Sequence, residues 1–287
     1  MSADKVIAIV TGASRGAGRG IAIALGSHGA TVYVTGRSEK KGDHNLPGTI
    51  YETAEAVTAA GGKGIAVRCD HGDDAQIAAL IAQVEREQGR IDILVNNAAA
   101  IYDTLNAPGR FWEKPLDSVD LLDVGLRSGF VASWHAAPIM AKQGKGLVIF
   151  TSASGAVHYA FGPAYGVHKA GMDKMASDMA VDFRDVGVAA ISIWLGALQT
   201  ERMDVMLDAE PEKYGHLKAI LETPHYTGHI IWALYHDPEL MALSGKTLIG
   251  AEIGPKYGIL DEGGVQPLSY REMMGVAPHE QYPAVIH

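Results

Sequence analysis

Short apolar runs alternate along this chain with longer segments of helical periodicity, and this alternation limits the possible folds more than any other feature. The predicted strands are Val6 to Val10, Thr31 to Thr35, Gly64 to Arg68, Ile91 to Val95, Leu147 to Thr151, Val188 to Leu195 and Lys246 to Ile249. Most of these runs lack polar alternation, which indicates a sheet covered on both faces. The segments between them are long enough for crossover helices. We therefore predict an α/β fold with a doubly wound, mostly parallel sheet of seven strands.

Helical periodicity is readable in five segments between the predicted strands. They are Gly16 to His28, Tyr51 to Ala60, Asp74 to Gln88, Ser118 to Met140 and Ala164 to Arg184. Two regions depart from this rhythm: the long loop Ile101 to Pro115 and the tail from Gly254 onward. A chain of 287 residues is expected to form one large domain, with residues 1–250 as its body and residues 251–287 as a C-terminal extension.

The bulk composition narrows the kinds of partner. A formal net charge of −9 argues against a broad surface for nucleic acid or anionic membrane, and favours a small molecule. The single cysteine, Cys69, excludes an intrachain disulfide and fits a reducing compartment. No apolar stretch reaches the ~18 to 20 residues of a membrane span, and the run from Val6 to Val10 is too short for a signal peptide. We expect a cytoplasmic protein without membrane or nucleic-acid partners.

A glycine-rich turn, Thr11 to Gly18, lies directly between the first predicted strand and the first predicted helix. Its glycines, at positions 12, 16 and 18, permit a tight turn and close approach of the backbone to a ligand. The helix N-terminus offers free N–H groups and the positive end of its dipole to a pyrophosphate. Strand, turn and helix together favour a dinucleotide site over the alternative of a flexible loop.

The end of the second predicted strand favours one of the two nicotinamide dinucleotides. NAD sites commonly place an acidic side chain there for the ribose hydroxyls, whereas this chain has Thr35, Gly36 and Arg37. Arg37 and Arg15 could both pair with a 2′-phosphate through charge-assisted hydrogen bonds. NADP(H) is therefore favoured over NAD(H), and two solvated surface arginines are the alternative.

A phenol and an ammonium group lie four residues apart, at Tyr165 and Lys169, so a helix presents both on one face. A free tyrosine has a pKa of about 10, which is too high for efficient proton exchange near neutral pH. A nearby cation favours the phenolate and lowers that pKa. The pair is thus a candidate for acid–base catalysis, and an amphipathic helix with a surface tyrosine and lysine is the alternative.

The turn has the form TGxxxGxG, and together with the YxxxK pair it resembles the short-chain dehydrogenase/reductase family, whose members have a Rossmann-type fold. The resemblance covers Val6 to about Ile249. It implies hydride transfer between a nicotinamide and a carbonyl or secondary alcohol, with Tyr165 as acid or base and no metal. Ser152 has the family's spacing, thirteen residues before Tyr165, for the serine that binds the substrate oxygen, with Ser154 as its neighbouring competitor.

The resemblance also implies contacts to the cofactor. Asp70 corresponds to a residue beside the adenine, Asn97 to a cofactor neighbour after the fourth strand, and Thr200 to a contact of the nicotinamide carboxamide. Lys169 is implied to hold the nicotinamide ribose. The full set of implied cofactor-binding residues is Gly12, Ser14, Arg15, Gly16, Gly18, Arg37, Asp70, Asn97, Tyr165, Lys169 and Thr200.

Two positions depart from the family pattern. Leu195 replaces a proline after the sixth strand, and Gly125 stands where the family commonly has an asparagine of a proton relay. The missing side chain leaves an alternative function open, a dinucleotide-binding regulator or scaffold with weak or no turnover. Several segments, among them Phe111-Trp-Glu113 and Gln199-Thr-Glu201, are similar to one subgroup of animal members, in which Gly125 would be a subgroup trait.

Other features concern the substrate and the assembly. Apolar and aromatic residues predicted near the substrate mouth indicate a hydrophobic carbonyl, or alternatively a packed lid: Phe111, Trp112, His158, Tyr159, Phe161 and Met203 to Tyr226. His225 and His229 could share a helix face, but a metal site needs more ligands, so no metal is expected. By analogy with the family, we expect a homodimer or homotetramer built on the two longest helices.

Overall fold

The computed structural model describes residues 5–286, and its centre is a parallel sheet of seven strands. The order is β3-β2-β1-β4-β5-β6-β9, and a separate parallel pair is formed by β7 and β8. The strands are β1 (Ile7–Val10), β2 (Thr31–Gly36), β3 (Lys63–Arg68), β4 (Ile93–Asn96), β5 (Gly146–Ser152), β6 (Val188–Trp194), β7 (Ala197–Leu198), β8 (Leu221–Glu222) and β9 (Thr247–Ile249). The predicted fold class is confirmed, and the seven predicted strands are all present in this sheet within two residues at each end.

Helices cover both faces of the sheet. They are α1 (Gly16–Ser27), α2 (Ile50–Ala59), α3 (Asp74–Gln88), α4 (Ser128–Gln143), α5 (Pro163–Phe183), α6 (Glu201–Ala209), α7 (Pro211–Tyr214), α8 (Pro224–His236), α9 (Leu240–Leu243), α10 (Gly250–Ile253) and α11 (Tyr270–Met274). Within residues 5–286 no helix combines the length and apolar character needed to cross a membrane.

Alternation along the buried strands builds two cores. Ala8 and Val10 of β1 pack with the cluster that includes Ile21 of α1, whereas Ile7 and Ile9 pack with the cluster that includes Ile77 of α3. Successive side chains of a strand point to opposite faces, so one apolar run serves both cores. The continuous burial of β1 agrees with the absence of polar alternation in its sequence.

Local capping signals position α3. The Asp73 carboxylate accepts hydrogen bonds from the backbone N–H groups of Ala75 (2.9 Å) and Gln76 (3.3 Å), and Gly89 ends the helix in the left-handed conformation at φ 70°. These contacts satisfy amide groups that the helix itself leaves without partners. Asp73 and Gly89 are therefore the sequence signals that fix the two ends of α3.

Replacement of Asp73 by alanine is expected to lower the free energy of unfolding by roughly 1 kcal/mol, because two helix-terminal N–H groups lose their acceptor. Urea denaturation of Asp73→Ala and wild type measures the difference. Glu85→Ala, an exposed position within α3, is the matched control and should change stability by less than about 0.5 kcal/mol. Equal losses in the two variants would contradict the capping role.

The predicted continuous helix from Ser118 to Met140 is wrong. The segment begins with a 3₁₀ turn at Leu116–Val119, continues as an irregular helical turn at Leu122–Arg127, and becomes regular only at Ser128. Val124 (φ −97°, ψ 67°) and Gly125 (φ 173°, ψ −78°) leave the helical region. Apolar periodicity continues through the break, so the sequence pattern alone did not reveal it.

The C-terminal segment, for which no periodicity was predicted, packs on the body through polar contacts. The Asp261 carboxylate accepts hydrogen bonds from the N–H (2.7 Å) and hydroxyl (2.5 Å) of Thr223. Further along, the Ser269 hydroxyl donates to Glu252 at 2.7 Å, and Ser269 caps α11 together with Glu272. The short helix α11 is thereby fixed beside the carboxyl end of β6, where Tyr270 meets Trp194 at a ring-centroid distance of 6.4 Å.

Candidate active site

The strand order reverses between β1 and β4, and the chain crosses to opposite faces of the sheet on the two sides of this point. In such a sheet the loops after the neighbouring strands leave in opposite directions and open a crevice at their carboxyl ends. The glycine turn follows β1 and Asn97 follows β4, so both lie at this crevice.

The glycine turn packs tightly against the segment that follows β4. Gly12 has φ +63°, and a Cβ at this position would lie 2.7 Å from Cα of Ala98. The side-chain amide of Asn97 donates to the carbonyls of Thr11 (2.9 Å) and Gly12 (3.1 Å), and a Cβ on Gly18 would lie 2.5 Å from that amide nitrogen. The contacts of Asn97 thus fix the shape of the turn. Its neighbour Asn96 donates to the Ser133 hydroxyl at 2.9 Å.

The N-terminus of α1 presents its amides to an anion. Its N-cap residue, Arg15, makes no side-chain cap, and its first turn contains no acidic residue. The Gly16 N–H instead donates to a carboxylate oxygen of Glu201 at 2.8 Å. A Cβ on Gly16 would lie 3.7 Å from Cγ2 of Thr200, so Thr200 lies at the same place. A carboxylate is therefore held on the first amide of α1, the kind of position at which helix N-termini bind anions such as a pyrophosphate.

The two arginines considered for the 2′-phosphate have different surroundings. Arg15 donates to the carbonyls of Pro47 (2.9 Å) and Gly48 (2.8 Å) and to the Ser38 hydroxyl (2.9 Å), so it closes the loop after β2. Burial lowers the pKa of Arg15, and the Glu201 carboxylate opposes that shift. Arg37 is 61% exposed and lies 3.8 Å from the Asp70 carboxylate.

The remaining cofactor candidates lie at the ends of β2 and β3. Ser14 is buried, and its hydroxyl lies 3.7 Å from where a Cβ on Gly36 would be. Asp70 follows β3, where its carboxylate accepts a hydrogen bond from the Gly72 N–H at 3.0 Å. β2 does not end in an acidic residue. The Thr35 hydroxyl near its end forms a hydrogen bond of 2.9 Å with Nε2 of the buried His71 ring.

The fold brings Ser152, Tyr165 and Lys169 together where β5 ends and α5 begins. The Ser152 hydroxyl donates to the Lys169 carbonyl at 3.1 Å, and Nζ of Lys169 donates to the Thr151 carbonyl at 3.0 Å. Nζ also lies 5.7 Å from the centre of the Tyr165 ring. The three predicted residues therefore lie together at the carboxyl end of β5, where a general acid must be close to a bound carbonyl for proton transfer.

Burial controls the protonation of this trio. It lowers the pKa of Lys169 to about 8, with Asp173 opposing the shift, and it raises the pKa of Tyr165 above its ordinary value of 10. Both shifts favour neutral groups, because a site with little water disfavours charge. In the free protein Tyr165 is therefore a phenol at neutral pH, the form that can donate a proton to a carbonyl oxygen.

A buried carboxylate beneath the trio was not predicted from the sequence. Asp173 accepts hydrogen bonds from the Ser192 hydroxyl (2.6 Å) and from Nε1 of Trp194 (2.9 Å), which joins α5 to β6. Burial raises its pKa, and the hydrogen bonds from Ser192 and Trp194 oppose that shift. Its position one helical turn after Lys169, on the same face of α5, was the available signal.

The environment of Gly125 explains why this position has no side chain. A Cβ there would lie 2.7 Å from Nε2 of His168, so the imidazole occupies the space that a side chain would need. His168 is 1% exposed, and neither of its ring nitrogens has a hydrogen-bond partner within the described part of the chain. Burial lowers the pKa of His168 to about 2, with Lys169 adding to the shift, so the ring is neutral at physiological pH.

The C-terminal segment adds Tyr270 to the surroundings of the trio. Tyr270 packs with Val157 and Ala156 against Trp194, and burial raises the pKa of its phenol to about 12. The Ser154 hydroxyl meets Nε2 of His158 at 3.0 Å. Tyr270 was missed by sequence reasoning, although the capping pattern Ser-x-x-Glu at Ser269 indicates a helix start there.

Only part of the predicted substrate lining meets the trio. The Phe161 ring lies 5.0 Å from that of Tyr165, and a narrow cavity shared by Phe111, Phe161 and Tyr165 opens beside them. Trp112 and Tyr159 are 63% and 74% exposed. A cavity of about 320 Å³ lies elsewhere, between α1 and α8, and is lined partly by His225 and His229.

Comparisons with known proteins agree with this geometry. A family model described as short chain dehydrogenase matches residues 6–210. The human protein "Dehydrogenase/reductase SDR family member 1" is 37% identical over 95% of this chain and 88% of its own length, and the mouse protein of the same name is 38% identical over 90% and 83%. Zebrafish "Hydroxysteroid dehydrogenase-like protein 2" is 32% identical over 88% of this chain and 58% of its own.

A solved structure has the same architecture. A short chain dehydrogenase from Mycobacterium thermoresistibile superposes with a TM-score of 0.71 and 26% identity, over 89% of this chain and 88% of that protein. The resemblance inferred from the glycine turn and the YxxxK pair is therefore confirmed, as is the similarity to one animal subgroup.

Proposed function

The chain belongs to the short-chain dehydrogenase family of oxidoreductases, and from this premise we propose that it interconverts a carbonyl and a secondary alcohol with NADP(H). The observation that carries the proposal is the convergence of Ser152, Tyr165 and Lys169: the Ser152 hydroxyl lies 3.1 Å from the Lys169 carbonyl, and the Lys169 ammonium lies 5.7 Å from the centre of the Tyr165 ring. A protein that only bound a dinucleotide would not need all three groups in one place. A bound nicotinamide supplies and accepts the hydride.

The chain's own residues supply the proton and the orientation. Tyr165 gives its phenolic proton to the carbonyl oxygen during reduction and takes it back during oxidation. Lys169, whose pKa near 8 keeps it mostly protonated at pH 7, provides a positive charge that stabilises the phenolate left behind. Ser152 binds the same oxygen as it gains negative charge.

The choice of NADP(H) is supported by charge at the end of β2. Arg37 lies there in place of an acid, and the Arg15 guanidinium lies beside Ser38 at 2.9 Å, bonded to neutral acceptors. An anionic 2′-phosphate would meet two cations there and pair with them through charge-assisted hydrogen bonds. The Asp70 carboxylate lies 3.8 Å from Arg37 and would compete with the phosphate for it.

The direct test is turnover. Purified protein is incubated with NADPH or NADH and a panel of hydrophobic ketones, including steroid-like, retinoid-like and aromatic compounds, while the absorbance of the reduced nicotinamide is followed. We expect oxidation of NADPH in preference to NADH. The second candidate, a regulator or scaffold, is favoured by Gly125 and would bind NADPH without turnover of any ketone.

Replacement of Arg37 by alanine is expected to raise KM for NADPH roughly tenfold, because a charge-assisted contact to the 2′-phosphate is lost at a partly exposed site. KM for NADH should change by less than about twofold, since NADH carries no 2′-phosphate. The measurement is the ratio of the two KM values. Arg86→Ala, at an exposed position of α3, is the charge-matched control, and an unchanged ratio in Arg37→Ala would contradict the NADP assignment.

A further inference from the structure

The carboxylate at the N-terminus of α1 comes from a distant part of the chain. Glu201, the first residue of α6, accepts a hydrogen bond from the Gly16 N–H at 2.8 Å, and its other oxygen lies 3.5 Å from Arg19. The Glu201 side chain is 21% exposed. One side chain therefore joins α6 to the helix that begins at the glycine turn.

This position is suited to a phosphate rather than to Glu201 alone. The first turn of α1 has no acidic residue, and its N-cap residue Arg15 makes no side-chain cap, so the first-turn amides depend on a group from elsewhere. Nε of Arg19 is buried and has no hydrogen-bond partner in the residues described. A guanidinium nitrogen beside Glu201 thus has no partner among residues 5–286, and an anion with more oxygens than a carboxylate could engage both this nitrogen and the Gly16 amide that Glu201 now holds.

We propose that Glu201 is an intramolecular competitor of the dinucleotide, with its carboxylate occupying in the free protein the place that a phosphate of the cofactor takes. The inference rests on the proposed function, because it requires that a dinucleotide binds at this turn. The Gly16 N–H can donate to only one of two anions, and two negative charges a few ångströms apart would repel each other. Binding of the dinucleotide therefore displaces Glu201.

Displacement of Glu201 has a consequence for α6. This helix also contacts the loop after β4: Arg202 donates to the Ile101 carbonyl at 3.1 Å, and Met206 meets the Asn106 amide at 3.7 Å. Glu201 is the contact that ties the same helix to α1. When it is released, α6 keeps its contacts with the 101–106 loop and loses its bond to the glycine turn, so dinucleotide binding alters the mobility of α6.

The test is a titration with NADPH, followed by its fluorescence. Glu201→Gln keeps the size of the side chain and removes its charge. We expect the dissociation constant of NADPH to fall about tenfold, because the competing side chain loses one partly exposed charge-assisted hydrogen bond. Asp204→Asn makes the same change of charge on an exposed position of α6 and should shift the constant by less than about twofold. Glu201→Asp, which keeps the charge but shortens the side chain, is a second variant and should give a smaller decrease.

Hydrogen–deuterium exchange provides a readout that does not depend on activity. In wild type, NADP⁺ should increase amide exchange in residues 201–209, whereas in Glu201→Gln exchange there should already be high without the dinucleotide. Unchanged or weaker NADPH binding in Glu201→Gln, or equal exchange in both proteins, overturns the inference while the proposed function stands. If wild type binds neither NADPH nor NADH, the proposed function fails and the inference with it.

Discussion

Replacement of Tyr165 by phenylalanine is expected to lower kcat for ketone reduction by about 10²- to 10⁴-fold, the range that a lost general acid produces. The substitution removes only the hydroxyl. The ring remains in contact with Phe161 at 5.0 Å and with the Lys169 ammonium at 5.7 Å. The measurement is the steady-state rate of NADPH oxidation at saturating ketone, together with the dissociation constant of NADPH.

The affinity for NADPH separates a chemical defect from a folding defect. It should change by less than about threefold in Tyr165→Phe, since the substitution removes one neutral hydroxyl and a neutral hydrogen bond contributes only ~0.5 to 1.5 kcal/mol. Tyr159→Phe makes the same chemical change in the preceding loop at a position that is 74% exposed, and should leave kcat near the wild-type value. Equal kcat values in wild type and Tyr165→Phe would remove the phenol from the mechanism.

Replacement of Glu222 by glutamine is expected to raise the free energy of unfolding above that of wild type, and to raise it more at alkaline pH than at acidic pH. Glu222 is 1% exposed, one of its oxygens accepts a hydrogen bond from the Gly196 N–H at 2.9 Å, and the other has no partner within residues 5–286. Burial raises its pKa from 4.5 to about 7, with Asp261 adding to the shift. The folded protein therefore holds this proton over a pH range in which the unfolded chain has lost it.

The sign of the effect follows from that difference in proton binding. Between pH 4.5 and 7 the folded state binds more protons at Glu222 than the unfolded state does, so the free energy of unfolding falls as pH rises. A shift of this size corresponds to roughly 3 kcal/mol. The loss of stability that Glu222 causes is absent below pH 4.5 and has reached its full size above pH 7.

Urea denaturation at pH 4.5, 6 and 8 measures this penalty. The advantage of Glu222→Gln over wild type should grow by about 3 kcal/mol across the series, because glutamine cannot ionise. Glu55→Gln, at an exposed position of α2, is the control and should change stability by less than about 0.5 kcal/mol at each pH. A difference between Glu222→Gln and wild type that is independent of pH would contradict the burial of a protonated carboxyl.

Regular elements were predictable because their signals are local. The strands were identified from apolar runs, and α3 was predicted from Asp74 to Gln88, the bounds that the structure shows. Its cap at Asp73 and its glycine at position 89 act through neighbours in the chain. The glycine turn and the YxxxK pair were readable for the same reason, since a few consecutive residues carry each motif.

The sequence by itself therefore determined the fold class, the order of strands and helices, and the candidates for the catalytic and dinucleotide sites. Only the tertiary structure decided which side chains meet. His168 fills the space beside Gly125, Asn97 braces the glycine turn, and Glu201 lies on the first amide of α1. These contacts join elements far apart in the chain, and the direction of each side chain is set by how helices and loops pack on the sheet. No local pattern of residues records that packing.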